Sequence, residues 1–110
     1  MDKKISPSLM CADFLHLGDE LKALEKYGIE YLHVDIMDGV FVSNYTLGTD
    51  FIKKIHRATD IPLDIHLMID HPDTKLDWFE FKEGDYVSVH YEACTHVQAV
   101  LSNIHKRGAK

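Results

Sequence analysis

The sequence contains no apolar run approaching the ~18 residues of a membrane span, and its Met-Asp-Lys-Lys opening lacks the apolar core of a secretory leader. A cytoplasmic protein is therefore expected. Cysteine is scarce: the two thiols, Cys11 and Cys94, lie far apart without a C-x-x-C spacing. That excludes a disulfide framework and a thiolate zinc knuckle, and both are read as free. Positive charge is the minority sign, with 12 Lys+Arg against 18 Asp+Glu and a formal net charge of -6. A nucleic-acid or anionic-membrane surface is disfavoured on that balance, although a small anion can still find a local site. No linker or low-complexity tract interrupts the 110 residues, and 45% of them are hydrophobic, enough for one domain with a real core.

What the chain does have is alternation. Lys4 to Cys11 reads as a short first strand, with Ser6, Ser8 and Met10 on one parity and Ile5, Pro7, Leu9 and Cys11 on the other. Pro7 cannot donate to a ladder, so it ends or bends this strand early. Phe14, Leu17, Leu21 and Leu24 recur at helical spacing, predicting a helix over Leu17 to Tyr27 closed by Gly28. A second strand covers Tyr31 to Asp38, and a loop covers Gly39 to Gly48 with Asn44 and Gly48 as turn residues. Thr49 is the expected N-cap of a helix running to Ala58.

Pro62 introduces a third strand, Leu63 to Ile69, and His71-Pro72-Asp73 reads as a turn that places Asp73 or Thr74 at a helix N-cap. Leu76, Trp78 and Phe79 mark that third helix, and Gly84 closes it. A fourth strand, Tyr86 to Ala93, leads to Thr95 as the cap of a fourth helix with Val97, Val100, Leu101 and Ile104 on one face and Gly108 at its end. The order βαβαβαβα implies an α/β fold of parallel strands joined by right-handed crossovers.

Parallel strands covered on both faces read as continuous apolar runs; these do not. Side chains alternate across a strand, so His33, Asp35 and Met37 share one face, as do Asp64, His66 and Met68, and Ser88, His90 and Glu92. A (β/α)8 TIM barrel accounts for a polar parity, because the carboxyl ends of its strands surround one pocket. The chain supplies about the first four βα units of such a barrel, and a fifth strand is expected to begin at Ala109-Lys110. Taken singly, a strand histidine is usually a satisfied core group. Two histidines with aspartates two residues away and a methionine beyond, all on one face, point instead to a metal site. His90 and Glu92 are open between ligation and support of a ligand. Asp38-Gly39 reads as a turn, Asp64 as a hydrogen-bonded inward group, Tyr45 and Thr46 as loop packing, and His16, His56, His71, His96 and His105 as surface.

The runs Ser6-Pro7-Ser8-Leu9, His33-Val34-Asp35-Ile36-Met37-Asp38-Gly39, Phe41-Val42 with Asn44, Pro62 to Met68, and Val89-His90 with Glu92-Ala93 closely resemble the amino-terminal half of ribulose-phosphate 3-epimerase. Val40 and Ser43 depart from the His and Pro usual there, which alters the loop after the second strand. The resemblance covers essentially the whole chain and implies that residues 1–110 are the amino-terminal half of a barrel domain. It further implies an enzyme that inverts C3 of a ketose phosphate around one divalent metal; imidazole and carboxylate ligands suit zinc, iron, manganese or cobalt without choosing among them. By position His33, Asp35 and His66 become metal ligands, with Asp35 also an acid/base group; Ser8 and His66 touch substrate, and Met37 and Met68 pack against the reacting carbons. The second acid/base carboxylate and the phosphate site belong to the family's carboxyl half, which these residues do not include.

Strands two to four hold no lysine, which partly excludes a Schiff-base aldolase. Decarboxylases of similar layout use an aspartate-lysine array, and position 37 is methionine. Two readings stay beside interconversion of D-ribulose 5-phosphate and D-xylulose 5-phosphate. One is a 3-epimerase of allulose 6-phosphate, hinted at by Leu9-Met10-Cys11. The other is an inert half-barrel that binds metal or pairs with a copy of itself, since unpaired strand edges favour a homo-oligomer.

Overall fold

The computed structural model describes residues 2–110. Its centre is a parallel sheet of three strands, β1 (Leu32–Met37), β2 (Leu63–Met68) and β3 (Tyr86–Val89), in that order. The apolar parity of β1 and β2 is sealed: Leu32, Val34, Leu63, Ile65 and Leu67 are all 0% exposed. They share one core with Leu21 of α1 (Leu17–Lys26), Ile52 and Ile55 of α2 (Thr49–Ala58), and Val100 and Ile104 of α3 (Val97–Lys106). Each such side chain contributes about 1.5–3 kcal/mol by leaving water. The opposite parity, which carries His33, Asp35, Met37, Asp64, His66 and Met68, is only half-buried. All helices of the core therefore cover one face. Among the described residues no helix is long and apolar enough to cross a membrane.

Several local expectations are corrected. Lys4 to Cys11 is not a strand: contact with β1 is a single bridge, Ser8 to His33, with the His33 N–H donating to the Pro7 carbonyl at 2.9 Å. Pro7 has no N–H to continue a ladder, and the chain turns at once into a 3-10 helix, Leu9–Cys11. The N-cap moves from Thr49 to Gly48, which caps α2 without a side chain, so Thr49 is the first helical residue. The third helix is replaced by two 3-10 turns, Pro72–Thr74 and Leu76–Trp78, followed by extended chain. Leu76 and Phe79 fit one turn, but the next buried residue, Phe81, lies two positions on, a strand period. β3 also ends four residues before Ala93, because Tyr91–Ala93 forms a 3-10 turn with the Ala93 N–H donating to the His90 carbonyl.

The caps come from unexpected places. Thr95 does not cap α3; the Asp73 carboxylate reaches across and accepts from the Thr95 and His96 N–H groups at 3.0 and 2.8 Å. Partial burial pushes the Asp73 carboxyl up, but those N–H bonds outweigh it and leave it below the ordinary value of 3.8. His56, expected at the surface, is buried. It follows Ile52 by one turn on the covered face of α2, and its Nε2 lies 2.8 Å from Asp85 Oδ2. Asp85 is 1% exposed and also accepts from the N–H groups of Leu63 and Lys82, both at 2.9 Å. One carboxylate thus fixes the starts of β2 and β3 to α2.

Where a fifth strand is expected, Lys110 already pairs. Its N–H donates to the Asp85 carbonyl and its carbonyl accepts from the Val87 N–H, both at 2.9 Å, the staggered pattern of a parallel ladder.

Asp85→Ala leaves buried donors unmatched and is expected to cost ~3–5 kcal/mol in urea unfolding. Asp73→Ala should cost ~1 kcal/mol, the usual loss of a helix-start acceptor. Because the Asp73 value is lowered in the folded chain, its contribution is present above 3.8 and fades as pH falls through the folded value. The gap between wild type and Asp73→Ala should therefore close in acid.

Candidate metal centre

The half-buried face gathers its polar groups at one place because the strands are in register. Asp35 on β1 is the ladder partner of His66 on β2, and His66 is the partner of Ser88 on β3. His33 stands two residues before Asp35 and so on the same face. The Asp35 Oδ1 atom lies 3.0 Å from His33 Nε2 and 3.0 Å from His66 Nδ1. One oxygen is held between two imidazoles, and the three donor atoms lie within 4.8 Å of one another. Two imidazole nitrogens and a carboxylate are the donor set that zinc, iron, manganese and cobalt accept, and three protein donors are the number usual in catalytic sites. His33, Asp35 and His66 can hold a metal ion.

Each imidazole is engaged at its far nitrogen too. His33 Nδ1 is 2.8 Å from Asp64 Oδ2, an oxygen that also accepts from the Ser6 hydroxyl at 3.1 Å. His66 Nε2 is 2.7 Å from His90 Nε2, and His90 Nδ1 is 3.3 Å from Glu92 Oε1. Burial pushes the His33 imidazole down, but the Asp64 hydrogen bond and the nearby charges of Asp35 and Asp64 outweigh it and hold it above the ordinary 6.5.

The remaining expected positions fall around this group. Met37 and Met68 are ladder partners at the carboxyl ends of β1 and β2, one step outward on the same face. Ser8 is bridged to His33 but its hydroxyl accepts locally from the Met10 N–H at 3.3 Å, so it stands beside the triad without bonding to it. Ser88 is exposed, and its hydroxyl donates to the Ile65 carbonyl at 3.4 Å.

Two residues do more than sequence reasoning assigned. Asp38 accepts from the N–H groups of Val40 and Phe41 in its own loop, both at 2.9 Å, and from Asp70 in the next at 2.7 Å. The Thr46 hydroxyl donates to the Asp35 carbonyl at 2.7 Å and accepts from the Met37 N–H at 2.8 Å, pinning the loop back on the strand that carries the triad. The Asp-Gly pair foretold the turn, and Gly39 meets it with φ +74°. Nothing local in sequence marks the reach of Asp38 to Asp70.

Asp64→Asn should lower the His33 titration midpoint, because the charge favouring the imidazolium is removed and its hydrogen bond becomes a neutral one, while burial stays. The His33 Cε1 proton followed by NMR across pH reads this directly, and an unmoved midpoint would contradict the assignment.

The Ribulose-phosphate 3 epimerase family model matches residues 4–110. Among curated proteins, the chain is 43% identical over 107 residues to the ribulose-phosphate 3-epimerase of Bacillus subtilis, covering 97% of this chain and 49% of that one. It is 38% identical over 107 residues to the Methanocaldococcus jannaschii protein of the same name, covering 97% and 45%. To the chloroplastic ribulose-5-phosphate-3-epimerase of Arabidopsis thaliana it is 41% identical over 108 residues, covering 96% and 38%. The chain thus spans less than half the length of these relatives.

Proposed function

The chain belongs to the ribulose-phosphate 3-epimerase family, and from that membership we propose that it forms the amino-terminal part of a (β/α)8 barrel that interconverts D-ribulose 5-phosphate and D-xylulose 5-phosphate. The observation that carries the reading is Asp35 Oδ1, held 3.0 Å from both His33 Nε2 and His66 Nδ1 on the open face of the sheet. A barrel uses such a face as its interior, and the ladder contacts at Ser8 and Lys110 extend the sheet on both sides.

Epimerisation next to a carbonyl removes the C3 proton, forms an enediolate, and returns a proton to the other face. His33, Asp35 and His66 would hold the divalent ion, which when bound supplies a Lewis acid and a template for the substrate oxygens. Asp35 takes the C3 proton on its carboxylate, as a general base. The Asp64 carboxylate orients His33 through Nδ1, so that Nε2 faces the site. Met37 and Met68 line the outer edge with polarizable apolar surface that offers no competing proton and excludes water from the enediolate. Return of a proton on the opposite face needs a second acid, which the family resemblance assigns to the carboxyl half of the barrel.

The test is NMR in D2O, following deuterium entry at C3 of ribulose 5-phosphate and, separately, allulose 6-phosphate with Zn(II), Fe(II), Mn(II) or Co(II). Wash-in is expected from the complete barrel and little of it from residues 1–110 alone, and Asp35→Asn in the complete barrel should slow it by ~10²–10⁴-fold. Wash-in without epimer would mark Asp35 acting without its opposite-face partner, and a preference for allulose 6-phosphate would move the substrate to six carbons. Unchanged exchange in Asp35→Asn would sink the assignment. So would unchanged exchange in His66→Ala.

A further inference from the structure

The triad's two imidazoles are braced differently. His33 is backed by a carboxylate, the common arrangement, whereas His66 is backed by another imidazole. His66 Nε2 and His90 Nε2 are 2.7 Å apart, and two ring nitrogens at that distance must share one proton between them. His66 Nδ1 is the nitrogen turned toward Asp35, at 3.0 Å. A nitrogen that binds metal carries no proton, and the hydrogen bond of the other nitrogen decides which one that is. With a metal on Nδ1 in place of the proton shared with Asp35, neutral His66 would carry its proton on Nε2 and donate it to His90. His90 must then accept at Nε2 and carry its own proton on Nδ1, the atom 3.3 Å from Glu92 Oε1.

His90 is also held in place. Its ring centroid lies 4.7 Å from that of Phe41 and 4.9 Å from that of His66. Its carbonyl accepts from the Ala93 N–H at 3.0 Å and from the Cys94 thiol at 3.3 Å, so the turn after β3 anchors the backbone that carries the ring. His90 is not among the residues whose donor atoms lie within 4.8 Å of one another, which are His33, Asp35 and His66. We propose that His90, backed by Glu92, is a positioning residue that fixes the tautomer and ring plane of His66 and so presents Nδ1 of His66 to the metal. This rests on the metal-site reading above.

The test is made on the full chain loaded with Zn(II), by long-range proton–nitrogen NMR of the histidine rings and by calorimetric titration with Zn(II). Expected are a proton on Nε2 of His66, a proton on Nδ1 of His90, and a Zn(II) affinity ~10–100-fold weaker in His90→Ala. His90→Gln, whose amide oxygen can still accept, should recover most of that loss while keeping the fold. The imidazole count at zinc, read by X-ray absorption, should be the same in wild type and both variants. Zinc on Nε2 of His66, unchanged affinity in His90→Ala, or one imidazole fewer in that variant would each overturn the proposal. A wild-type chain that binds no Zn(II) would overturn the metal-site reading and this inference together, whereas wild-type binding matched by His90→Ala overturns this inference alone.

Discussion

The register of β1 against β2 is the constraint on which the rest depends. Pairing Leu32 with Leu63 buries every even-numbered residue of β1 against the helices and leaves every odd-numbered one on the open face. A slip of one residue would drive His33, Asp35 and Met37 into the core and expose Leu32, Val34 and Ile36, so the hydrophobic term specifies the register strongly. The same pairing sets Asp35 opposite His66. Burial on one side of the sheet therefore brings His33, Asp35 and His66 together on the other, without any interaction among the three having to organise it.

The parts of this fold written in residue parity were legible in the sequence. The triad, the flanking methionines and Asp64 follow from which residues share a face, and a strand has only two faces. The parts set by contacts distant in sequence were not. Nothing local in the sequence sets His56 apart from a surface histidine, yet its place one turn after Ile52 puts it on the covered side of α2 and its partner is Asp85. The third helix failed because apolar spacing changes from a turn to a strand period between Leu76 and Phe81. The first strand failed at Pro7, where the missing N–H was visible but the single remaining bridge was not.

The two ends of the sheet use their carboxylates in different ways. At the amino end, Asp85 is 1% exposed and each oxygen is spent on backbone N–H groups or on His56, so it holds elements together. At the carboxyl end, Asp35 remains partly open and faces two imidazoles, a geometry that serves a cation better than it serves packing. The proposed barrel would put this division to use, since a barrel reserves that end for chemistry and the other for stability.

The order β1-β2-β3 carries a consequence for how the sheet is reached from the unfolded chain. Each strand pairs with its sequence neighbour, and contacts such as His33 with Asp64 and Ile65 with Ser88 close loops of 31 and 23 residues. Closure entropy grows only with the logarithm of loop length, so the two pairings differ by about 0.3 kcal/mol on that account. None of these three strands must wait for a distant partner. The sheet can grow by increments of nearly equal entropic cost, each βα unit docking on the edge left by the one before.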